Sequence, residues 1–124
     1  AGTNVSKVFD LEVASTGFSE EKAAELGFDC GAVKIVSSSR SHAYPGARPL
    51  HVRLVFDRPT GRILGGQLVG AEGAAKRVDS VATAIFAGMS VQELAVVDMS
   101  YAPPFSPVWD PVLIAASQAA KQVG

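Results

Sequence analysis

Both tyrosines of this chain, Tyr44 and Tyr101, stand in proline-containing stretches rather than in periodic ones. A phenol is a hydrogen-bond donor and acceptor. Beside prolines its direction is restricted, because each proline fixes its own φ and pushes its predecessor away from helix. Tyr101 opens the run Tyr101-Ala102-Pro103-Pro104-Phe105-Ser106-Pro107-Val108-Trp109-Asp110-Pro111, in which four of eleven residues are proline. This run reads as stiff and extended, and it holds Phe105 and the only tryptophan, Trp109. A rigid aromatic segment of this kind predicts a surface that meets something. Tyr44 belongs to a polar, turn-rich loop over residues 38–49, which also carries Arg40, His42 and Arg48. Connections of about twelve residues are uncommon and often functional. The one basic pair, Lys76-Arg77, reads as a solvated helix turn, with contact to an anion as the alternative.

Other chemistry is thinly represented. No Gly-x-Gly-x-x-Gly follows a strand, and there is no Walker loop and no nucleophile elbow. Gly65-Gly66, Gly70 and Gly73 fit no phosphate fingerprint by spacing and read as packing glycines. His42 and His51 lack metal-ligand spacing with any Cys, Asp or Glu, so no metal site is predicted. His51 reads as a solvated strand residue, and His42 as a structural loop residue with a site role as the alternative. Cys30 is alone and has no partner for an internal disulfide, a redox pair or a metal. It reads as a half-buried small hydrophobe, and a single thiol fits a cytoplasmic origin.

These residues need a scaffold, and the pattern supplies one. Residues 7–14 alternate in part and predict a strand broken by Ser15-Thr16-Gly17. Ser19 reads as the cap of a short helix with Glu20 and Glu21 in its first turn, stopped by Gly27. Residues 32–37 form a second strand. Residues 50–57 alternate cleanly, with Leu50, Val52, Leu54 and Phe56 on one side and His51, Arg53, Val55 and Asp57 on the other. Arg58-Pro59-Thr60-Gly61 turns the chain back into residues 62–69, a hairpin whose glycines allow a bulge or a close approach.

Residues 74–89 predict an amphipathic helix with Val78, Val81, Ala82, Ile85, Phe86 and Met89 on its apolar face. Lys76, Arg77, Asp79, Ser80 and Thr83 occupy the other faces. Ser90-Val91-Gln92-Glu93 is a capping box that opens another short helix. Residues 97–101 read as a short strand leading into the proline run. Asp110-Pro111 then reads as N-cap and first position of a closing helix over residues 112–123, apolar nearly all round. A partner surface is the natural second side for such a helix. The order predicts an α+β domain with a largely antiparallel sheet and helices packed on one face.

Composition agrees. The 124 residues make one domain, 1–124, with 48% apolar and 19% charged residues. A net charge of −1, with no basic run beyond Lys76-Arg77, argues against nucleic acid as a partner. No apolar run approaches a membrane span. Ala1-Gly2-Thr3 reads as a start inside a longer protein.

Four separated motifs resemble one family. Tyr101-Ala-Pro-Pro-Phe-Ser106, followed by Asp110-Pro111 and an apolar helix, is similar to the C-terminal end of coenzyme A-disulfide reductases and the related NADH oxidases and persulfide or polysulfide reductases. His42-Ala43-Tyr44-Pro45-Gly46-Ala47 resembles that family's His-Ala-x-Tyr-Tyr-Pro-Gly loop, with one tyrosine where the family often has two. Gly70 to Asp79 resembles its Gly-x-Glu-Gly-x-x-Lys-Arg-Ile-Asp segment, and Val8-Phe9-Asp10 through Gly17 resembles the start of the domain.

The resemblance implies the dimerisation domain of a pyridine nucleotide–disulfide oxidoreductase, with the same α+β fold. It implies FAD and NAD(P)H in domains that precede this one, a homodimer, and a small thiol or disulfide substrate such as coenzyme A. Each copy would complete the active site of the other. By the same resemblance Tyr101 and Tyr44 are catalytic residues. A phenol of ordinary pKa, about 10, stays protonated at neutral pH and can donate to a thiolate leaving group. His42, Lys76 and Arg77 would bind substrate, and Pro103, Pro104, Phe105 and Trp109 would form interface. The isolated domain is expected to bind no FAD and to turn over nothing. The alternative is a stand-alone homodimeric interaction module without redox activity.

Overall fold

The computed structural model describes residues 2–38, 48–97 and 110–124. Five strands form one antiparallel sheet: β1 (Thr3–Val8), β2 (Leu11–Gly17), β3 (Cys30–Ser38), β4 (Pro49–Asp57) and β5 (Ile63–Gly70), in the spatial order β1-β2-β5-β4-β3. The chain's first strand signal is therefore two strands. Val8 pairs with Leu11, which leaves Phe9 and Asp10 as a two-residue hairpin turn inside the stretch predicted as one strand. Phe9 takes φ 55 there, and the alternation read across residues 7–14 spans that turn. Ser15-Thr16-Gly17 does not break the second strand. Thr16 is buried and its hydroxyl lies 2.9 Å from that of Thr3 on the neighbouring strand.

β3, β4 and β5 follow one another as a meander, and β2 pairs on the far side of β5. β3 extends at both ends beyond the predicted residues 32–37. The alternation of β4 is realised: Leu50, Val52, Leu54 and Phe56 are all fully buried on one face. They form the main core with Ala14, Val33, Ile63 and Leu68. Between Val55 and Phe56 the register slips, so Leu64 on β5 is the extra residue of a bulge. Leu64 then joins Val55 and Ala23 in a smaller cluster on the opposite face.

Three helices cover the main core face: α2 (Ala74–Phe86), α3 (Val91–Leu94) and α4 (Pro111–Ala120). The expected α+β fold with an antiparallel sheet is thus present, and one helix departs from the expected one-sided arrangement. The short helix α1 (Glu20–Glu25) supplies Ala23 to the opposite face, where Glu20 pairs with Arg53 of β4.

Local signals account for the helix ends. The Ser19 hydroxyl accepts the Lys22 amide at 3.1 Å. Beyond α1, Gly27 at φ 93 allows Phe28 to donate to Ala23 and Gly27 to Ala24, which satisfies two carbonyls of the last turn. Gly88 does the same after α2, so that helix ends at Phe86 and Met89 lies past it. The capping box of Ser90 and Glu93 is formed in both directions.

Two expectations for α2 are corrected. Phe86 is 94% exposed rather than part of the apolar face, and Arg77 is 3% exposed rather than solvated. The buried stripe is Ala74, Arg77, Val78, Val81 and Ala84, and Arg77 sits at its centre, one turn from both Ala74 and Val81. Phe86, five residues beyond Val81, points away from that stripe.

α4 also finds its second side within this chain. Val112, Ala115, Ala116 and Ala119 pack into the main core with sheet residues and with Val91 and Leu94 of α3. The small alanines permit close approach, and Ser117 and Gln118 form the exposed side.

Candidate functional site

The N-terminal ends of α2 and α4 are joined by side chains. Asp110 is the N-cap of α4, and its Oδ1 accepts the Val112 amide at 2.9 Å. Its other oxygen, Oδ2, accepts from Nε of Arg77 at 3.1 Å. Arg77 Nη1 also approaches the Gly73 carbonyl at 3.5 Å, a weaker contact. The two side chains are 3% and 11% exposed. Burying two charges is costly, and the cost is offset here because each is paired and further hydrogen-bonded. Pro111 at the first helical position presets the backbone that Asp110 caps.

The other end of the site is the entry to α2. Its N-cap, Gly73, has φ 86 and offers no side chain. The Glu12 carboxylate of β2 caps the helix instead, accepting the Ala75 amide at 3.0 Å. Lys76 is exposed on the same first turn. Nearby, Lys7, Asp10, Arg48, Ala71 and Glu72 line a polar cleft at the tip of the first hairpin.

The described glycines of β5 form no dinucleotide cradle. Gly65 lies against the backbone of Phe18, Gly66 faces Val81, and Gly70 faces Leu50 and Pro49. These glycines are filled by neighbouring protein, so they form no cradle for phosphate. The Ala75 amide in the first turn of α2 is already taken by the Glu12 carboxylate, so that amide is not free for a phosphate. Among the described residues no group of three His, Cys, Asp or Glu is placed to hold a metal. No helix among them is long and apolar enough to cross a membrane.

Of the residues predicted to carry function, the structure brings Lys76 and Arg77 to the N-terminal end of α2, one exposed and one buried. His42, Tyr44, Tyr101, Pro103, Pro104, Phe105 and Trp109 lie outside the described residues, as does most of the strand expected over residues 97–101. His51 is exposed on its strand, and Cys30 is half-buried with Sγ 3.7 Å from the Glu20 carbonyl, as their sequence context suggests. The pairing of Arg77 with Asp110 and the capping by Glu12 were not foreseen. For Arg77 a signal existed, since its position falls on the apolar stripe.

Comparison with known proteins places these features in context. Residues 3–111 match the family described as "Pyridine nucleotide-disulphide oxidoreductase, dimerisation domain". The chain is 42% identical over 115 residues to the "NAD(P)H sulfur oxidoreductase (CoA-dependent)" of Pyrococcus furiosus, covering 93% of this chain and 26% of that protein. It superposes on the crystal structure of reduced Bacillus anthracis CoADR-RHD with a TM-score of 0.93 at 40% identity, covering 97% of this chain and 22% of that one. For the NAD-dependent persulfide reductase from A. fulgidus the TM-score is 0.92 at 42% identity, with 96% and 22% covered. The chain spans about a quarter of the length of the curated relatives it matches.

Proposed function

The chain belongs to the dimerisation-domain family of the pyridine nucleotide-disulphide oxidoreductases, and from that premise we propose that it is one domain of a longer FAD-dependent NAD(P)H oxidoreductase acting on small sulfur substrates. The reading is that it pairs with a second copy and completes the partner subunit's active site. The observation that carries it is the match along nearly the whole chain to a CoA-dependent sulfur oxidoreductase and to a persulfide reductase. The substrate class follows from the same likeness: a coenzyme A-linked disulfide or a persulfide.

The chain's own contribution is then positioning and proton donation. Tyr101 donates its hydroxyl proton toward the sulfur that leaves as thiolate, and Tyr44 provides a second hydroxyl. His42 and Lys76 contact anionic groups of the substrate, and the exposure of Lys76 suits that role. Arg77 is buried against Asp110, so its charge serves the scaffold of the site first. Pro103, Pro104, Phe105 and Trp109 form the surface between copies. FAD and NAD(P)H are assigned to other domains of the longer protein, a reading supported by the likeness to NAD(P)H oxidoreductases of which this chain spans about a quarter.

The test is steady-state kinetics on the full-length polypeptide with a coenzyme A disulfide and a persulfide as substrates. Tyr101→Phe should lower kcat by about a hundredfold, the scale of a positioned proton donor, with flavin content unchanged. An undiminished kcat would remove Tyr101 from the mechanism. A full-length polypeptide without flavin would leave only a homodimeric interaction module.

A further inference from the structure

We infer that the outer face of α2 docks against the same face of a second copy of this chain, with the two helices antiparallel. This rests on the reading that the chain pairs with a copy of itself. Lys76, Asp79, Thr83 and Phe86 are the exposed residues of α2. At the helical repeat they fall within about 80° of its circumference, opposite the buried stripe of Ala74, Arg77, Val78, Val81 and Ala84. Phe86 is 94% exposed, so its ring gains no burial within the single chain. An apolar groove runs along one flank of the stripe, where Asp79 and Thr83 meet Met89 and Leu94. An approaching surface therefore finds apolar area to cover beside the ring.

The spacing of the exposed residues decides the partner. Steps of three, four and three read the same from either end, so the stripe is self-complementary about a two-fold axis. Parallel pairing would set lysine on lysine and aspartate on aspartate. Antiparallel pairing sets Phe86 against the partner's Lys76 and Thr83 against the partner's Asp79. The ring then lies on the alkyl stem of that lysine, whose ammonium stays at the rim of the contact. The Thr83 hydroxyl donates to the carboxylate it meets. No like charges are opposed.

The experiment is subunit exchange in the full-length polypeptide: two differently tagged preparations are mixed and the mixed dimer is followed with time. Changes at an interface act mainly on dissociation. Phe86→Asp should speed exchange by about thirtyfold or leave monomers, with the circular dichroism of the fold unchanged. Thr83→Asp sets like charges against each other, and Thr83→Lys sets opposite ones. Each contact occurs twice across the axis, so a change of about threefold per pair reads as roughly tenfold, faster for aspartate and slower for lysine. Opposite signs at one exposed position separate a contact between copies from a loss of helix stability. Exchange of Phe86→Asp at the parent rate overturns the inference, as do Thr83 variants that both shift it the same way or not at all. A parent polypeptide that is monomeric at every concentration instead defeats the reading that copies pair, and the inference with it.

Discussion

The carboxylate of Glu12 on β2 accepts the amide proton of Ala75 in the first turn of α2, at 3.0 Å. The helix therefore takes its cap from the sheet rather than from its own N-cap residue, Gly73. The negative charge also suits the helix dipole. Glu12→Ala should cost about 1 kcal/mol, the usual worth of a lost cap, and Glu12→Gln, which keeps an acceptor, distinctly less. Urea unfolding of the 124-residue chain measures both. Equal losses would show that charge, not the hydrogen bond, is what α2 needs.

A second prediction concerns Gly65, whose missing side chain leaves room for the carbonyl and amide of Phe18. Backbone cannot swing aside as a flexible side chain can. Gly65→Ala should cost about 3 kcal/mol, at the upper end for overpacking. Gly27 is the control: it has open space but φ 93, so Gly27→Ala should cost only about 1 kcal/mol. If the two losses prove equal in denaturant titrations, the close approach of Phe18 to β5 is not as described.

Phe9 holds a backbone conformation that L side chains rarely adopt. It has φ 55 and is 95% exposed at the turn between β1 and β2. Glycine adopts positive φ without steric cost and stands first in two-residue hairpins where only the first central residue has positive φ. Phe9→Gly should stabilise the chain by about 1 kcal/mol, a rise in Tm of about 4 °C. A fall in Tm by calorimetry would show that the ring contributes contacts in the folded chain.

Dimerisation is tested by light scattering across a concentration range. The chain should show a dimer that dissociates on dilution. Phe105→Ala and Trp109→Ala should each weaken it by roughly 2 kcal/mol if they are central anchors, about thirtyfold in Kd. A strict monomer at the highest concentration would assign the main dimer contact to other domains of the full-length protein.

Much of this fold was legible because its signals are local. Ser19, Gly27, the Ser90–Glu93 box and Asp110-Pro111 act within one helical turn, and the clean alternation of β4 reports its two faces directly. What escaped is long-range or compressed. Arg77 is buried because of an aspartate 33 positions later, and Glu12 caps a helix 63 positions away. No window along the chain holds both members of either pair. The hairpin turn at Phe9-Asp10 escaped because it has no glycine or proline and sits within a partly alternating run. Phe86 is large, apolar and near helical spacing, features that predict core, yet it lies off the buried stripe and is exposed. At the site, the motifs around Tyr101 and Tyr44 pointed to the family, whereas the anchoring of Asp110 needed coordinates.

The strand order has a kinetic meaning. β3, β4 and β5 are consecutive neighbours and can zip together as a meander, whereas β2 reaches β5 only across everything that lies between Gly17 and Gly65. Closing that larger loop carries more entropy cost and slows the step. β1 is held to the sheet through β2 alone and is exposed along its whole length. This strand order predicts that β1 and β2 join the sheet late. On that order the edge of β5 stays open, and α2 stays without its Glu12 cap, until the chain's first residues have paired.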